Sequence, residues 1–197
     1  MNDSEILELY RAGEQERAFG EIVKAYSERL YWHVRNLVQN HDDTDDILQD
    51  VFVKVWRSLP SFRSDSLLFT WLWRIATNEA LSFLRRRNRG LRDAVEPVTD
   101  NRTEQAQEQS GNILENLTAP ASIDPVRAQG LLQMAIAQLP ARQKAVFCMR
   151  YYDEIPYEQI AEIMGVSQGA LKASNHFAES RVRSFLKEHI DELSLTD

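Results

Sequence analysis

Between positions 74 and 92 the sequence carries six Arg and a single acid, Glu79. Phe62, Phe69, Trp71 and Trp73 lie at or just before this stretch, and Asn78 lies within it. Aromatic rings interleaved with guanidinium groups suit single-stranded DNA, because bases stack on rings while the cations hold phosphates. Phe62, Trp73 and Asn78 are the expected base contacts, Asn because its amide both donates and accepts. Phe69, Leu72, Ile75, Ala76 and Phe83 are expected in the core, as is Trp71, with Arg74, Arg85 and Arg86 on the basic face.

A second group is acidic. Five Asp fall between positions 42 and 50, ahead of an apolar face made by Ile47, Leu48, Val51, Phe52, Val55, Trp56 and Leu59 that Pro60 ends. Carboxylates accept free N–H groups and favour the positive end of a helix dipole, so helix-start chemistry accounts for them; a docking surface is the sharper reading. The spacing Asp42-Asp43-x-x-Asp46 also fits a magnesium-holding pattern of prenyl-transferring enzymes. That chemistry needs a second carboxylate cluster facing the first, and nothing downstream supplies one. No metal or cofactor is therefore expected.

The third group lies near the end of the chain, from Tyr157 to Ser174. Ile160, Ala161, Ile163 and Met164 share one helical face, Gly165 suits a left-handed C-cap, and Ser167 suits the N-cap of a second helix. Two helices joined by so short a turn form a helix-turn-helix, whose second helix enters a major groove. Lys172, Ser174, Asn175 and His176 give that helix polar reach, whereas Glu179 would sit badly near phosphate.

The elements that position these groups are helical. From Ala18 to Val38 the residues Phe19, Ile22, Val23, Tyr26, Leu30, Val34, Leu37 and Val38 recur at helical spacing. Asp124-Pro125 marks a further start, followed by Leu131, Leu132, Ala135, Ile136 and Leu139. Pro140 opens another helix through Ala145, Val146, Phe147, Met149 and Tyr151, completing four helices around the helix-turn-helix. The Ile113-Leu114-x-x-Leu117 patch suits at most a short turn. Between 93 and 124 there are seven acids and one base, Arg102, a composition that resists collapse onto a core. As a coil, the segment 90–123 spans roughly 30 to 35 Å. The expected architecture is all-α, with domains at 1–89 and 124–197 joined by this flexible acidic linker.

A chain of 197 residues with 43% hydrophobic content is long enough to bury a sizeable core. The lone Cys148 excludes an internal disulfide, suits a reducing compartment and is expected as a small buried hydrophobe. No apolar run reaches membrane-spanning length and the start is acidic, so a cytoplasmic protein without membrane insertion is expected. A net charge of -7 is unfavourable for a DNA binder acting alone, since phosphate neutralisation supplies most non-specific affinity.

Taken together, the chain resembles the bacterial RNA polymerase sigma factors of the extracytoplasmic-function type. The likeness rests on Asp45-Asp46-Ile47-Leu48-Gln49-Asp50-Val51-Phe52, Phe62-Arg63-x-Asp65-Ser66 and Thr70-Trp71-Leu72-x-Arg74-Ile75-Ala76-x-Asn78 in the first module. In the second it rests on Leu139-Pro140-x-Arg142-Gln143-x-x-Val146-Phe147 and Tyr157-Glu158-Gln159-Ile160-Ala161. The resemblance implies a sigma region 2-like domain, whose Asp46, Leu48, Gln49 and Asp50 dock on the clamp helices of the polymerase's largest subunit. Phe62, Arg63, Ser64, Asp65 and Ser66 with Asn78 would trap a flipped base of the melted -10 element. A region 4-like domain, of the broad winged-helix-like class, would read the -35 element through Ser167, Gln168, Gly169, Lys172, Ala173 and His176 and meet the polymerase beta flap. The linker would thread the polymerase's cleft.

The same likeness implies a factor without enzymatic activity, partnered by core polymerase, promoter DNA and an inhibitory anti-sigma factor. Many members carry Arg where this chain has Ser174, Phe177 and Glu179, so weaker phosphate contacts are expected. The chief rival is a stand-alone helix-turn-helix regulator that binds operators without polymerase.

Overall fold

The computed structural model describes residues 1–62, 67–92 and 125–193. Every regular element among them is helical, and the chain forms two compact units. With no strand among the described residues, the helix-turn-helix has no β-wing there.

The first unit is built from α1 (Asp3–Arg11), α2 (Gln15–Val38), α3 (His41–Ser58) and α4 (Leu68–Arg92), with a 3-10 turn, Leu59–Ser61, between the last two. The acidic start proves to be a helix. Asn2 Oδ1 accepts from the Glu5 amide and the Glu5 carboxylate accepts from the Asn2 amide, both at 2.9 Å, a reciprocal capping box. Ile6 is fully buried, a side chain whose burial is worth about 1.5–3 kcal/mol, and Tyr26 of α2 donates a hydrogen bond to Asp3.

α2 ends at Gln39, which adopts φ 59°. Asn40 starts α3, its side chain accepting from the Asp43 amide at 2.9 Å. An amide rather than one of the five carboxylates is thus the cap, with Asp42 and Asp43 in the first turn near the dipole's positive end. Pro60 sits in the 3-10 turn, where its missing N–H costs no α-helical bond.

Along α4, Leu68, Leu72, Trp73, Ala76, Ala80 and Leu84 face the core. Trp73 is 1% exposed. Its ring lies 4.1 Å from Phe69 and 5.7 Å from His33, and the Arg29 guanidinium stands 5.1 Å from its centre. His33, itself buried, hydrogen-bonds Thr77 across α2 and α4 at 2.9 Å.

The later helices are α5 (Pro125–Ala137), α6 (Ala141–Tyr151), α7 (Tyr157–Met164) and α8 (Gln168–Leu193), of which α5, α6 and α8 lie wholly in the second unit. α5 begins at the expected proline. α6 is buried continuously from Lys144 to Met149, with Ile136, Leu139, Leu171, Ala178, Val182 and Leu186 also in this core. Cys148 lies within it, and burial pushes its thiol up to about 12, as expected of an inert apolar side chain.

The linker expected at 90–123 lies, apart from its first three residues, outside the described residues, as do Asp124 and the Ile113-Leu114-x-x-Leu117 patch.

Candidate nucleic-acid interface

On α4, positions 71, 74, 78, 82 and 85 recur every three or four residues and so share a face away from Leu72, Ala76 and Ala80. Asn78 is exposed on it, Trp71, Arg74 and Ser82 are half-buried, and Arg85 and Arg86 are exposed. The half-buried Phe62 ring sits 5.0 Å from Trp71, tilted by 46°. Arg63, Ser64, Asp65 and Ser66 lie outside the described residues.

The expectation that Trp73 contacts bases is therefore corrected, because reaching a base would require pulling its ring out of the core. Trp71, expected in that core, is the partly open ring. Both tryptophans fit the helical pattern to within one residue, and only the packing of α2 against α4 separates them.

Glu79, the acid within the basic stretch, is ion-paired with Lys54 of α3. That pairing offsets the negative charge beside Asn78. Arg87 reaches Asp43 at 3.3 Å, and Arg85 bonds back to the Leu81 carbonyl and the Ser82 hydroxyl at 3.3 and 3.1 Å. Arg85 is thus held along α4 and Arg87 against α3 rather than left as free rotors.

The helix-turn-helix forms with the expected chemistry. Gly165 takes φ 66°, the left-handed region open to glycine, and its N–H bonds the Ala161 carbonyl at 2.9 Å. Ser167 Oγ accepts from the Ala170 amide at 3.3 Å as N-cap of α8. Ser167, Gln168, Gly169, Lys172 and His176 are exposed and Ala173 is half-buried.

Two residues of this helix depart from expectation. Asn175, expected to add polar reach, is 2% exposed, and Glu179, expected to sit badly near phosphate, is 7% exposed. Glu179 accepts from the Tyr151 hydroxyl of α6 and from Asn175 Nδ2, the latter at 2.6 Å. Neither faces DNA. A charged residue on a helix surface is ordinarily solvated, so sequence alone gave no sign of this burial.

On α3, Asp46, Gln49 and Asp50 are exposed and Leu48 is half-buried. Val53 and Trp56 continue the same stripe, 42% and 41% exposed, while Ile47, Val51 and Val55 face inward. Trp56 packs on Phe19 at 5.1 Å, making a ridge that is acidic at one end and aromatic at the other. Of the two residues that reveal its outward face, Trp56 is counted with the apolar face in the sequence reading and Val53 is outside it. Asp43 and Asp45 are occupied by Arg87 and His41.

A basic helical face beside partly open rings, and a separate helix-turn-helix, define a bipartite DNA-binding protein. Sigma-70 region 2 matches residues 22–90 and Sigma-70 region 4 matches residues 129–181. The sigma-E factor of Escherichia coli K12, an ECF RNA polymerase sigma factor, is 30% identical, with the alignment covering 88% of each chain. The ECF factor SigW of Bacillus subtilis is 26% identical over 90% of this chain and 93% of its own. Among solved structures, the sigma factor RpoE of Bartonella quintana, in complex with the anti-sigma factor NepR, superposes with a TM-score of 0.60 at 25% identity, covering 86% of this chain and 96% of its own. CnrH, in complex with the cytosolic domain of CnrY, shares the fold at a TM-score of 0.63 and 20% identity.

The chain belongs to the extracytoplasmic-function sigma factors of RNA polymerase. Its function is to bind core RNA polymerase and direct it to promoters, recognising -10 and -35 elements during initiation. The relatives give no support to the rival reading of a stand-alone operator binder.

Proposed function

We propose that the labour of promoter recognition is divided along the chain, with residues 1–89 serving the -10 element, 90–123 the tether and 124–197 the -35 element. In the first part, Asn78 with Arg74, Arg85 and Arg86 holds the melted -10 strand beside the Phe62–Trp71 pair. Arg63, Ser64, Asp65 and Ser66 join Asn78 in trapping the flipped base. Trp71 replaces Trp73 in this role.

In the last part, Ser167, Gln168, Gly169, Lys172, Ala173 and His176 face the -35 duplex. Polymerase docks on the stripe of Asp46, Leu48, Gln49 and Asp50, extended by Val53 and Trp56. A groove of about 370 Å³ between α5 and α8, lined in part by Leu139, Arg181 and Phe185, suits the beta flap. An anti-sigma factor of the kind bound to the solved relatives competes for the same docking faces.

The chain supplies no catalysis of its own; the polymerase makes RNA. No helix among the described residues is long and apolar enough to cross a membrane, and the work belongs where polymerase and promoters meet, in the cytoplasm.

The observation that carries this reading is the α3 stripe, which leaves Val53 and Trp56 open to solvent next to Asp46, Gln49 and Asp50. Exposed aromatic and apolar side chains bordered by charge mark a partner surface. Run-off transcription from a random promoter library, with and without core polymerase, tests it. Promoter-specific transcripts are expected only with both components, and Trp56→Ala with Asp50→Ala should abolish them by preventing capture. Transcripts from that double variant at wild-type level would remove α3 as the docking element.

A further inference from the structure

The burial of Glu179 calls for an explanation that stability does not provide. Its carboxylate lies under the helix-turn-helix, held by the Tyr151 hydroxyl from the end of α6 and by Asn175 one turn earlier on α8. Among the described residues no salt bridge reaches it, and Asn175 Oδ1 is buried without a hydrogen-bond partner. Burying a carboxylate is costly before its hydrogen bonds are counted, and an orphaned amide oxygen adds to that cost. Apolar side chains of similar size would hold α6 against α8 at least as well.

Apolar contacts would not fix orientation. Leu171, Ala178, Val182 and Leu186 supply the rest of this face of α8, and an apolar stripe tolerates small rotations and axial slips. A hydrogen bond does not, because its energy falls steeply with distance and angle. The network also approaches α7, the first helix of the motif. Burial raises the Tyr157 phenol, with the Glu179 charge acting in the same direction, while Arg150, whose guanidinium stands 5.3 Å from the Tyr157 ring centre, opposes them. Tyr151 shows the same pattern, raised by burial and then by its bond to Glu179.

Lys172 and His176 project from the shoulder of α8 next to this network, three residues before Asn175 and Glu179 respectively. A rotation of 20° about the axis of α8 would swing a side-chain tip about 7 Å from that axis by about 2 Å, enough to break a base contact of ordinary hydrogen-bond length.

We infer that Glu179, held by Tyr151 and Asn175, is a positioning residue that sets the rotation of α8 and thereby the -35 discrimination exercised by Lys172 and His176. The inference rests on the reading of α8 as the -35 helix. Tyr151 is part of the device, although it lies on α6, outside the helix-turn-helix.

The test uses the full chain in holoenzyme, on a promoter taken from the library and on the same promoter with its -35 element scrambled. The readout is the ratio of the two run-off signals, alongside a thermal melt of the free chain. Tyr151→Phe keeps the ring and removes one hydroxyl. It should lower the ratio by about five- to tenfold, the order set by one buried hydrogen bond, while leaving transcription from the scrambled promoter unchanged. Glu179→Gln retains an acceptor for Tyr151 and should keep most of the discrimination, whereas Glu179→Leu should lose as much as Tyr151→Phe. Combining Tyr151→Phe with Glu179→Leu should add nothing further.

An unchanged ratio in both Tyr151→Phe and Glu179→Leu would overturn the inference. So would an equal fall on both promoters, which is the mark of a merely structural role. Lys172→Ala separates the two levels of the argument. If it too leaves the ratio unchanged, the -35 assignment of α8 has failed; if it lowers the ratio while Tyr151→Phe does not, only the positioning role has.

Discussion

Asn78 stands exposed on α4 with Arg74 one turn before it and Trp71 two turns before it, while its neighbour Glu79 is drawn off to Lys54. An amide in that setting suits a base edge, with which it can both donate and accept; a phosphate contact would be served as well by any of the arginines. Asn78→Ala should therefore reduce promoter opening and change the preference at one -10 position, at a cost of about 1–3 kcal/mol for the favoured base. Permanganate footprinting and transcription from promoters varied at each -10 position would measure it, and an equal loss on all of them would refute base reading. Cys148 illustrates the opposite case, a nucleophile disabled by its surroundings. Its folded-state thiol is raised from 9.0 to about 12, so the neutral form is favoured in the fold. The stability this confers is complete below about pH 9 and is lost as pH rises toward about 12, because the unfolded thiol ionises first. A thiol reagent at pH 8 should label Cys148 only as fast as the protein opens, and denaturation midpoints should fall across that alkaline window.

At the scale of the element, the turn between α7 and α8 determines where the recognition helix goes. Gly165 adopts φ 66° and an added Cβ there meets no atom within 4 Å. Gly165→Ala therefore carries a backbone penalty without a clash, about 1–2 kcal/mol for a left-handed residue with a side chain. Urea denaturation should show that loss, with weaker use of the -35 element and little change in the -10 response. A wild-type midpoint would mean that the turn relaxes to another conformation. The caps of α1, α3 and α8 were legible to different degrees. Ser167 was visible because an apolar face stops just before it. Asn40 was hidden behind a run of carboxylates able to do the same job, and the Asn2–Glu5 capping box lay in a segment whose apolar pattern is too short to stand out.

For the whole molecule, net charge and function pull in opposite directions. At -7 the free chain is repelled by duplex DNA, although a concentrated run of arginines lies along α4 from Arg74 to Arg92. A holoenzyme resolves this by letting the polymerase supply affinity while the sigma factor supplies choice. The isolated chain should bind promoter duplex weakly and without marked sequence preference at physiological salt, with tight, promoter-specific binding appearing on addition of core polymerase. Fluorescence anisotropy with matched and scrambled promoters would decide it; nanomolar, sequence-specific binding by the free chain would contradict the division of roles.

Periodicity, prolines and the glycine turn determined that this chain is helical, that it carries a helix-turn-helix and that its basic stretch precedes an acidic one, because these features are local and each leaves a mark within a few residues. What faces which way was decided by tertiary structure. Trp71 and Trp73 differ by two positions on one helix, and only the packing of α2 against α4 sends one inward. Glu179 reads as a surface acid until Tyr151, 28 residues away, is brought against it. Burial is a property of what lies opposite a side chain, and the partner opposite is chosen by packing between helices distant in the chain.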